Sequence, residues 1–124
     1  MSSFIQLQNI YKSFDTLKRL TVLKKISYKF KKGKIYSLIG PSGSGKSTLL
    51  NLLSLIDRPS GGAIIIDDKQ IDFNDTDKND ILRANKIGII YQDNNLLSDF
   101  TAIENIYLSR LSIDENKKKA LKYE

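Results

Sequence analysis

The sequence contains no cysteine and no histidine. Without cysteine, the chain forms no disulfide bond and offers no thiolate to a metal ion. Without histidine, it lacks the commonest metal ligand and the commonest general base of enzymes. No apolar run approaches the roughly 20 residues that a membrane-spanning helix needs. The first residues also lack the basic segment and apolar stretch of a signal peptide, so we expect a cytosolic protein.

The composition is that of an ordinary globular protein. Of the 124 residues, 40% are hydrophobic and 27% are charged. A chain of this length makes one domain and buries about two-thirds of its unfolded surface. The formal net charge is +6, but the lysines are scattered except for two small clusters, at residues 31–34 and 117–119. Lysines at strand ends and on a helix face are usually solvated, so we predict no nucleic-acid partner.

Residues 40–48 read GPSGSGKST, with two glycines separated by four residues and followed by lysine and serine. Such a loop curls so tightly that successive backbone N–H groups point at phosphate oxygens, and glycine reaches the required positive φ angles without strain. Lys46 would place its ammonium against the β- and γ-phosphates, and the Ser47 hydroxyl would coordinate Mg²⁺. The dipole of the helix that follows favours the same anion. The stretch predicts a nucleotide phosphate site.

The apolar pattern predicts five strands around this loop. Residues 4–11 and 22–30 alternate and have a short connection, which favours an antiparallel pair. Residues 34–39 and 86–91 are short apolar runs typical of strands buried on both faces. The fifth strand is predicted at 63–67, where Asp67 and Asp68 begin a turn.

Three helices besides the one after the loop are predicted from local signals. A short helix is expected at residues 80–85, after a polar, turn-rich stretch. Thr101 and Glu104 form a capping box that opens a second helix, and residues 112–115 repeat that signal for a third. No glycine, asparagine or proline follows this last helix to stop it, so we expect a longer fold that has been cut.

The helix after Lys46 carries six apolar residues that cover more than one stripe of its surface. A helix of this kind is expected to lie between two layers of the fold. Its end is predicted at residues 58–62, which read RPSGG, because proline and glycine disfavour continuation.

Over essentially its whole length the chain resembles the ATP-binding subunits of ABC transporters, and four features carry the resemblance. The first is GPSGSGKST at 40–48, the family's Walker A loop. The second is NIYKSF at 9–14 with the strands that follow it; Phe14 matches the aromatic that stacks on adenine, and Tyr11 is the rival. The third is DRPSGG at 57–62 with the strand and DDKQI after it. The fourth is IGIIYQDNNLL at 87–97, which is similar to the Q-loop with Gln92 as its glutamine. The detail is most similar to the lipoprotein-release and macrolide-export branch.

The resemblance implies an α/β fold: a P-loop NTPase core with an antiparallel β layer at the N-terminus and the start of a helical subdomain, truncated. The implied parts are a β-rich layer at 1–33, the core up to the Q-loop at 34–97, and the start of the helical subdomain at 98–124. ATP and Mg²⁺ are the implied cofactors. Lys46 and Gln92 are implied in catalysis, and Ser47 and Gln92 in metal binding. The residues implied in cofactor binding are Phe14, Gly40, Ser42, Gly43, Ser44, Gly45, Lys46, Ser47 and Thr48.

The family's Leu-Ser-Gly-Gly-Gln signature, Walker B strand and switch histidine have no match in this sequence. We therefore expect the chain alone to bind nucleotide without hydrolysing it. The implied partners are a membrane-spanning permease and a second nucleotide-binding domain in a head-to-tail dimer, at the inner face of the cell membrane. An alternative is a non-catalytic nucleotide-binding or interaction module. Another P-loop kinase or GTPase fits less well, because it leaves the Q-loop segment unexplained.

Overall fold

The computed structural model describes residues 3–15, 20–93 and 95–111. The chain divides into two compact units, residues 1–75 and residues 76–124. In chain order the elements are β1 (Ser3–Phe14), β2 (Leu20–Lys31), α1 (Lys46–Leu53), β3 (Gly61–Ile66), β4 (Lys69–Gln70), α2 (Thr76–Lys86) and α3 (Ala102–Leu111). Among the described residues, no helix has the length and apolar character needed to cross a membrane.

The first unit is built on a four-stranded sheet in the order β2-β1-β3-β4. Every neighbouring pair is antiparallel: Leu7 of β1 lies opposite Tyr28 of β2 on one side and Ile64 of β3 on the other. β3 and β4 are joined by Asp67 and Asp68, whose φ angles are +48° and +61°. Positive φ at both positions is the conformation of a tight hairpin turn. The predicted antiparallel layer and the predicted turn are both confirmed.

A bulge in β1 brings its backbone close to β3. The register with β2 shifts between Leu7 and Ile10, and Asn9, which lies between them, has a φ of +49°. The amide of Asn9 donates a hydrogen bond of 2.8 Å to Ser27 Oγ. A side chain at Gly62 would place its Cβ 2.5 Å from the carbonyl oxygens of Gln8 and Asn9. The bulge therefore requires glycine at position 62.

The core of the first unit lies between the sheet and α1. Leu7, Ile10 and Ile64 of the sheet and Leu52 of α1 are completely or almost completely buried. Only one stripe of α1 is covered, because Leu50 remains 56% exposed. The expectation that α1 lies between two layers is therefore wrong for the described residues.

The end of α1 also differs from the prediction. The helix ends at Leu53, before the RPSGG sequence. Leu55 takes a left-handed φ of +58°, and the amide of Ile56 donates to the carbonyl of Asn51 at 3.0 Å. A left-handed residue just after the last turn is a common way to close a helix, although glycine is the usual choice. Because leucine takes the position that glycine usually occupies, the sequence did not indicate that α1 ends here.

Two predicted strands are wrong. In the described part of the chain, residues 34–39 and 87–91 form neither helix nor strand, and Lys86 belongs to α2. Their isoleucines lie at the surface: Ile35 is 99% exposed, Ile39 90% and Ile90 100%. A strand buried on both faces needs neighbours on the sheet and layers above and below it. None of the described strands pairs with either segment.

The second unit contains α2 and α3. The helix predicted at 80–85 is present and begins four residues earlier, at Thr76. The predicted capping box at the start of α3 is confirmed, since Thr101 and Glu104 exchange hydrogen bonds of 2.7–3.3 Å. Asn105 fastens the preceding loop by donating to the carbonyl of Leu97 at 3.1 Å and accepting from its amide at 2.8 Å. The helix predicted from residue 112 onward lies outside the described residues.

Candidate nucleotide-binding site

The glycine-rich loop runs from residue 40 to the first residue of α1. Gly43 and Gly45 have φ angles of +77° and +89°, as the phosphate-loop interpretation requires. A Cβ at Gly45 would lie 2.9 Å from side-chain carbons of Val22 and Leu23 in β2. Gly45 is therefore fixed twice, by its backbone conformation and by its close approach to the sheet.

Gly40, at the start of the loop, and Gly43, in its middle, differ in the space around them. A Cβ at Gly40 would lie 2.8 Å from Ser44 Oγ, so the loop closes tightly upon itself there. A Cβ at Gly43 would meet no atom within 4 Å. The loop thus has one packed side and one open side, and an anion can approach the backbone on the open side. The residues fit a phosphate group in this respect.

The N-terminus of α1 has no negative group of its own. Gly45 occupies the capping position without a side-chain hydrogen bond, and the first turn of α1 carries no acidic residue. The first amides of a helix have no partner within the helix, and the dipole leaves partial positive charge at this end. This terminus therefore favours an anion.

Lys46 places its ammonium beside the loop. Its Nζ donates hydrogen bonds of 2.7 Å to the carbonyl oxygens of Gly40 and Pro41. These bonds hold the positive charge where the loop backbone turns. Of the neighbouring hydroxyl residues, Ser42, Ser44 and Ser47 are exposed, and Thr48 is half-buried. The structure brings Gly40 to Thr48 together as one loop-and-helix unit.

The two aromatic candidates at the end of β1 have different surroundings. The ring of Tyr11 lies directly against Gly61 of β3, where an added Cβ would overlap it. Phe14 and Tyr11 are similarly exposed, at 39% and 36%, but the Phe14 ring has Lys12 Nζ 5.0 Å from its centroid. Tyr11 is thus engaged in strand packing, which favours Phe14 for base stacking. The role of Phe14 stays a prediction.

Gln92 belongs to the second unit, where it is exposed. Its predicted parts in catalysis and metal binding stay predictions. Within the described ranges, no group of three His, Cys, Asp or Glu side chains is placed to hold a metal ion.

One feature near the site was not predicted from the sequence. Lys12 is buried in β1, at 8% exposure, and makes a 2.7 Å ion pair with Asp57 after α1. These residues are 45 positions apart, and no spacing rule connects them. A lysine at an inward position of an alternating strand was the available signal, because charged groups are rarely buried without partners.

Comparison with known proteins identifies the family of the chain. Residues 23–123 match the family described as ABC transporter. The chain belongs to this family. It is 41% identical over 123 residues to the lipoprotein-releasing system ATP-binding protein LolD of Ehrlichia chaffeensis, covering 98% of this chain and 52% of the relative. It is 37% identical over 120 residues to LolD of Aquifex aeolicus, covering 97% of this chain and 52% of the relative. The chain spans about half the length of the curated relatives it matches.

Solved structures agree with the family assignment. A dimer of the ATP-binding cassette MJ0796 in a post-hydrolysis state, bound to ADP and Pi, superposes with a TM-score of 0.84 at 33% identity. The match covers 94% of this chain and 54% of the cassette chain. The ABC transporter ATP-binding protein MJ0796 of Methanocaldococcus jannaschii is 35% identical to the chain over 125 residues. The predicted fold class, a partial P-loop cassette with an antiparallel N-terminal layer, is confirmed.

Proposed function

We propose that this chain is the ATP-binding component of an ABC transporter, in which ATP binding and hydrolysis drive transport by a membrane permease. The observation that carries the proposal is the open glycine loop that leads into an uncapped helix, with the Lys46 ammonium beside it. Backbone amides, a helix N-terminus and a cation thus belong to one loop-and-helix unit. Such a site is suited to a polyphosphate.

The phosphate end of the nucleotide is assigned to the loop and the start of α1. Amides of residues 42–48 bind phosphate oxygens, and Lys46 exchanges its carbonyl partners for the β- and γ-phosphates. When bound, Mg²⁺ neutralises charge on the phosphate chain. Ser47 would hold the ion from the protein side.

The base end is assigned to Phe14. An aromatic ring presents a π-face that stacks on any purine, so it supplies affinity without strict selection among bases. Other purine triphosphates should therefore compete with ATP. Tyr11 is the less suitable candidate because its ring already packs against Gly61.

The partners are proposed from the relatives. LolD is named as the ATP-binding protein of a lipoprotein-releasing system, and the MJ0796 cassette was solved as a dimer. We assign this chain to the same branch, with a membrane permease and a second nucleotide-binding domain, head to tail, as partners. The location would be peripheral, at the inner face of the cell membrane, through the permease.

Hydrolysis by the 124-residue chain alone is not expected. The reaction needs a group that positions or deprotonates the attacking water, and a second protein ligand for Mg²⁺. Asp67 and Asp68 lie in the β3–β4 turn, and Asp93 follows Gln92 in an irregular segment. None of the three matches a catalytic position of the family. Phosphate release that depends on Lys46 in the purified chain would contradict this part of the proposal.

The proposal is tested by ATP titration of the parent and Lys46→Ala, followed by fluorescence or calorimetry in Mg²⁺ buffer. Loss of a charged hydrogen bond costs about 1.5–3 kcal/mol, which corresponds to roughly 10- to 150-fold weaker binding. Lys32→Ala removes the same charge from an exposed position before the loop and is the matched control. Equal affinity of Lys46→Ala and the parent would rule out the phosphate assignment.

The assignment of the base to Phe14 is tested by comparing the ATP affinities of two alanine variants. Phe14→Ala should weaken ATP binding by about 1–3 kcal/mol, the usual contribution of one stacked base. Tyr11→Ala should change ATP affinity much less. The reverse order, with Tyr11→Ala weakening ATP and Phe14→Ala neutral, would move the base site to Tyr11.

A further inference from the structure

Lys12 is a lysine with a buried head group at the end of β1. Its side chain is 10% exposed, and its Nζ donates 2.7 Å to Asp57 Oδ1 and 2.8 Å to the carbonyl oxygen of Arg58. A buried ammonium is costly unless it is paired and hydrogen-bonded. Both partners come from the segment that follows α1. The ammonium therefore fastens that segment to β1.

The same ammonium faces the proposed base platform. Lys12 Nζ lies 5.0 Å from the centroid of the Phe14 ring, within the distance of about 6 Å at which a cation is attracted to an aromatic face. Phe14 as a residue is nevertheless 39% exposed. One cation thus restrains the ring while leaving surface for a second stacking partner.

The segment that holds Lys12 is itself fixed at both ends. On the α1 side, the amide of Asp57 donates to the carbonyl of Asn51 in the helix, at 3.2 Å. On the β1 side, Ser60 receives a 3.0 Å hydrogen bond from the amide of Ser13 and donates from its own amide to the carbonyl of Tyr11 at 2.9 Å. A continuous set of contacts therefore runs from Asn51, in the last turn of α1, to the Phe14 ring.

We propose that Lys12 is a positioning residue for the nucleotide base: with Asp57 and the Arg58 carbonyl it holds the Phe14 ring in the orientation that stacks on a purine. The inference rests on the proposed function. A ring that is restrained before the ligand arrives loses less conformational entropy on binding. The effect concerns the base alone, because Lys12 makes no contact with the glycine loop among the bonds that the structure shows.

The test compares ATP with inorganic tripolyphosphate, which carries the phosphates without the base. In the purified 124-residue chain, Lys12→Met keeps an apolar stem of similar length and removes the cation. We expect about 2- to 30-fold weaker ATP binding, the range of cation–π contacts from exposed to desolvated sites, and unchanged tripolyphosphate binding. Lys24→Met, at an exposed position of β2, removes one charge elsewhere and should leave both affinities at the parent value.

A double-mutant cycle shows whether Lys12 acts through the ring. Lys12→Met should add no further loss of ATP affinity in the Phe14→Ala background, and Lys12→Arg should retain most of the parent affinity. Equal weakening of ATP and tripolyphosphate, or no weakening of ATP, would overturn the inference. If Lys12→Met is unfolded by circular dichroism, Asp57→Asn, which keeps the shape and removes the paired charge, is put through the same two titrations and decides by the same criterion.

Failure of the proposed function gives a different pattern. Phe14→Ala without loss of ATP affinity removes the platform, and the inference falls with it. A loss in Phe14→Ala together with parent-like Lys12→Met and Asp57→Asn leaves the platform intact and overturns only the role of Lys12.

Discussion

Two isoleucine-containing stretches of six residues in the first unit differ in strand pairing and in burial. β3 (Gly61–Ile66) pairs with β1 and β4, and its Ile64 and Ile66 are 0% and 2% exposed. Residues 34–39 form no strand in the described structure, and Ile35 is 99% exposed. Both runs are rich in isoleucine and bounded by turn residues. The difference lies in whether a neighbouring strand is available to each.

An apolar run shows that a segment needs burial, but a strand exists only where another strand offers its backbone groups. β3 has an antiparallel neighbour on each side. For residues 34–39 the described chain supplies a single side-chain anchor: Tyr36 stacks edge-on with Tyr28 and Phe30, and its hydroxyl accepts a 2.8 Å hydrogen bond from the amide of Lys31. Side-chain contacts of this kind hold a segment near the sheet without adding it to the sheet.

Truncating one isoleucine in each run gives the largest expected contrast. Ile64→Ala should lower the free energy of unfolding by about 2–5 kcal/mol, because it removes buried methyl groups and leaves a cavity. Ile35→Ala should change it by less than about 0.5 kcal/mol, as exposed positions usually do. Urea denaturation followed by circular dichroism measures both. A comparable loss for Ile35→Ala would mean that residues 34–39 are packed in solution.

A pair of glycines sharpens the same contrast at the level of the backbone. Gly62→Ala should destabilise the fold by about 1–3 kcal/mol, because it combines a strained positive φ with close contacts to fixed carbonyl oxygens. Gly43→Ala has a similar φ but open space around it, so only the cost of the left-handed conformation, about 1–2 kcal/mol, remains. The two variants are compared by thermal and urea unfolding. A larger loss for Gly43→Ala would contradict the proposed fit between Gly62 and the β1 bulge.

The elements that the sequence predicted correctly depend on neighbouring residues. The Asp67–Asp68 turn, the capping box of Thr101 and Glu104, and the positive φ angles of the glycine loop each follow from side-chain chemistry within a few positions. The alternating pattern of β1 and β2 also contains its own pairing rule, since the two strands are close in sequence.

The errors concern relationships that no short stretch contains. Residues 34–39 have no strand partner among the described residues, and the closure of α1 uses Leu55 in place of glycine. In the candidate site, the loop followed from its spacing, whereas the link from Lys12 to Asp57 is visible only once β1 and the segment after α1 lie side by side. Features that neighbouring residues determine could be predicted from the sequence, whereas contacts between residues far apart in the sequence could not.

A charge placed in the exposed run should affect association more than stability. Exposed apolar side chains without a strand partner favour contact between copies of the chain. Ile35→Lys should therefore reduce self-association in analytical ultracentrifugation while changing the free energy of unfolding by less than about 0.5 kcal/mol. Ser37→Lys adds the same charge in the same segment without removing an apolar group, and it is the control. Equal effects of both variants would assign the change to net charge alone.

The smallest expected effect is at the start of α3, where the partners are three residues apart. Hydrogen bonds from the backbone amide and hydroxyl of Thr101 hold the pKa of the Glu104 carboxyl below its ordinary value of 4.5, although the group is exposed and its slight desolvation acts in the opposite direction. A carboxyl whose pKa is lower in the folded state stabilises that state above its unfolded pKa. This contribution is lost as the pH falls through the lowered value.

The Thr101 amide resonance should therefore shift, and its protection from exchange should decrease, as the pH falls below about 4.5. In Glu104→Gln the amide should show no such titration. A Thr101 amide that titrates equally in both proteins would show that the capping box does not hold the carboxylate, and that even this local contact needs support from the rest of the fold.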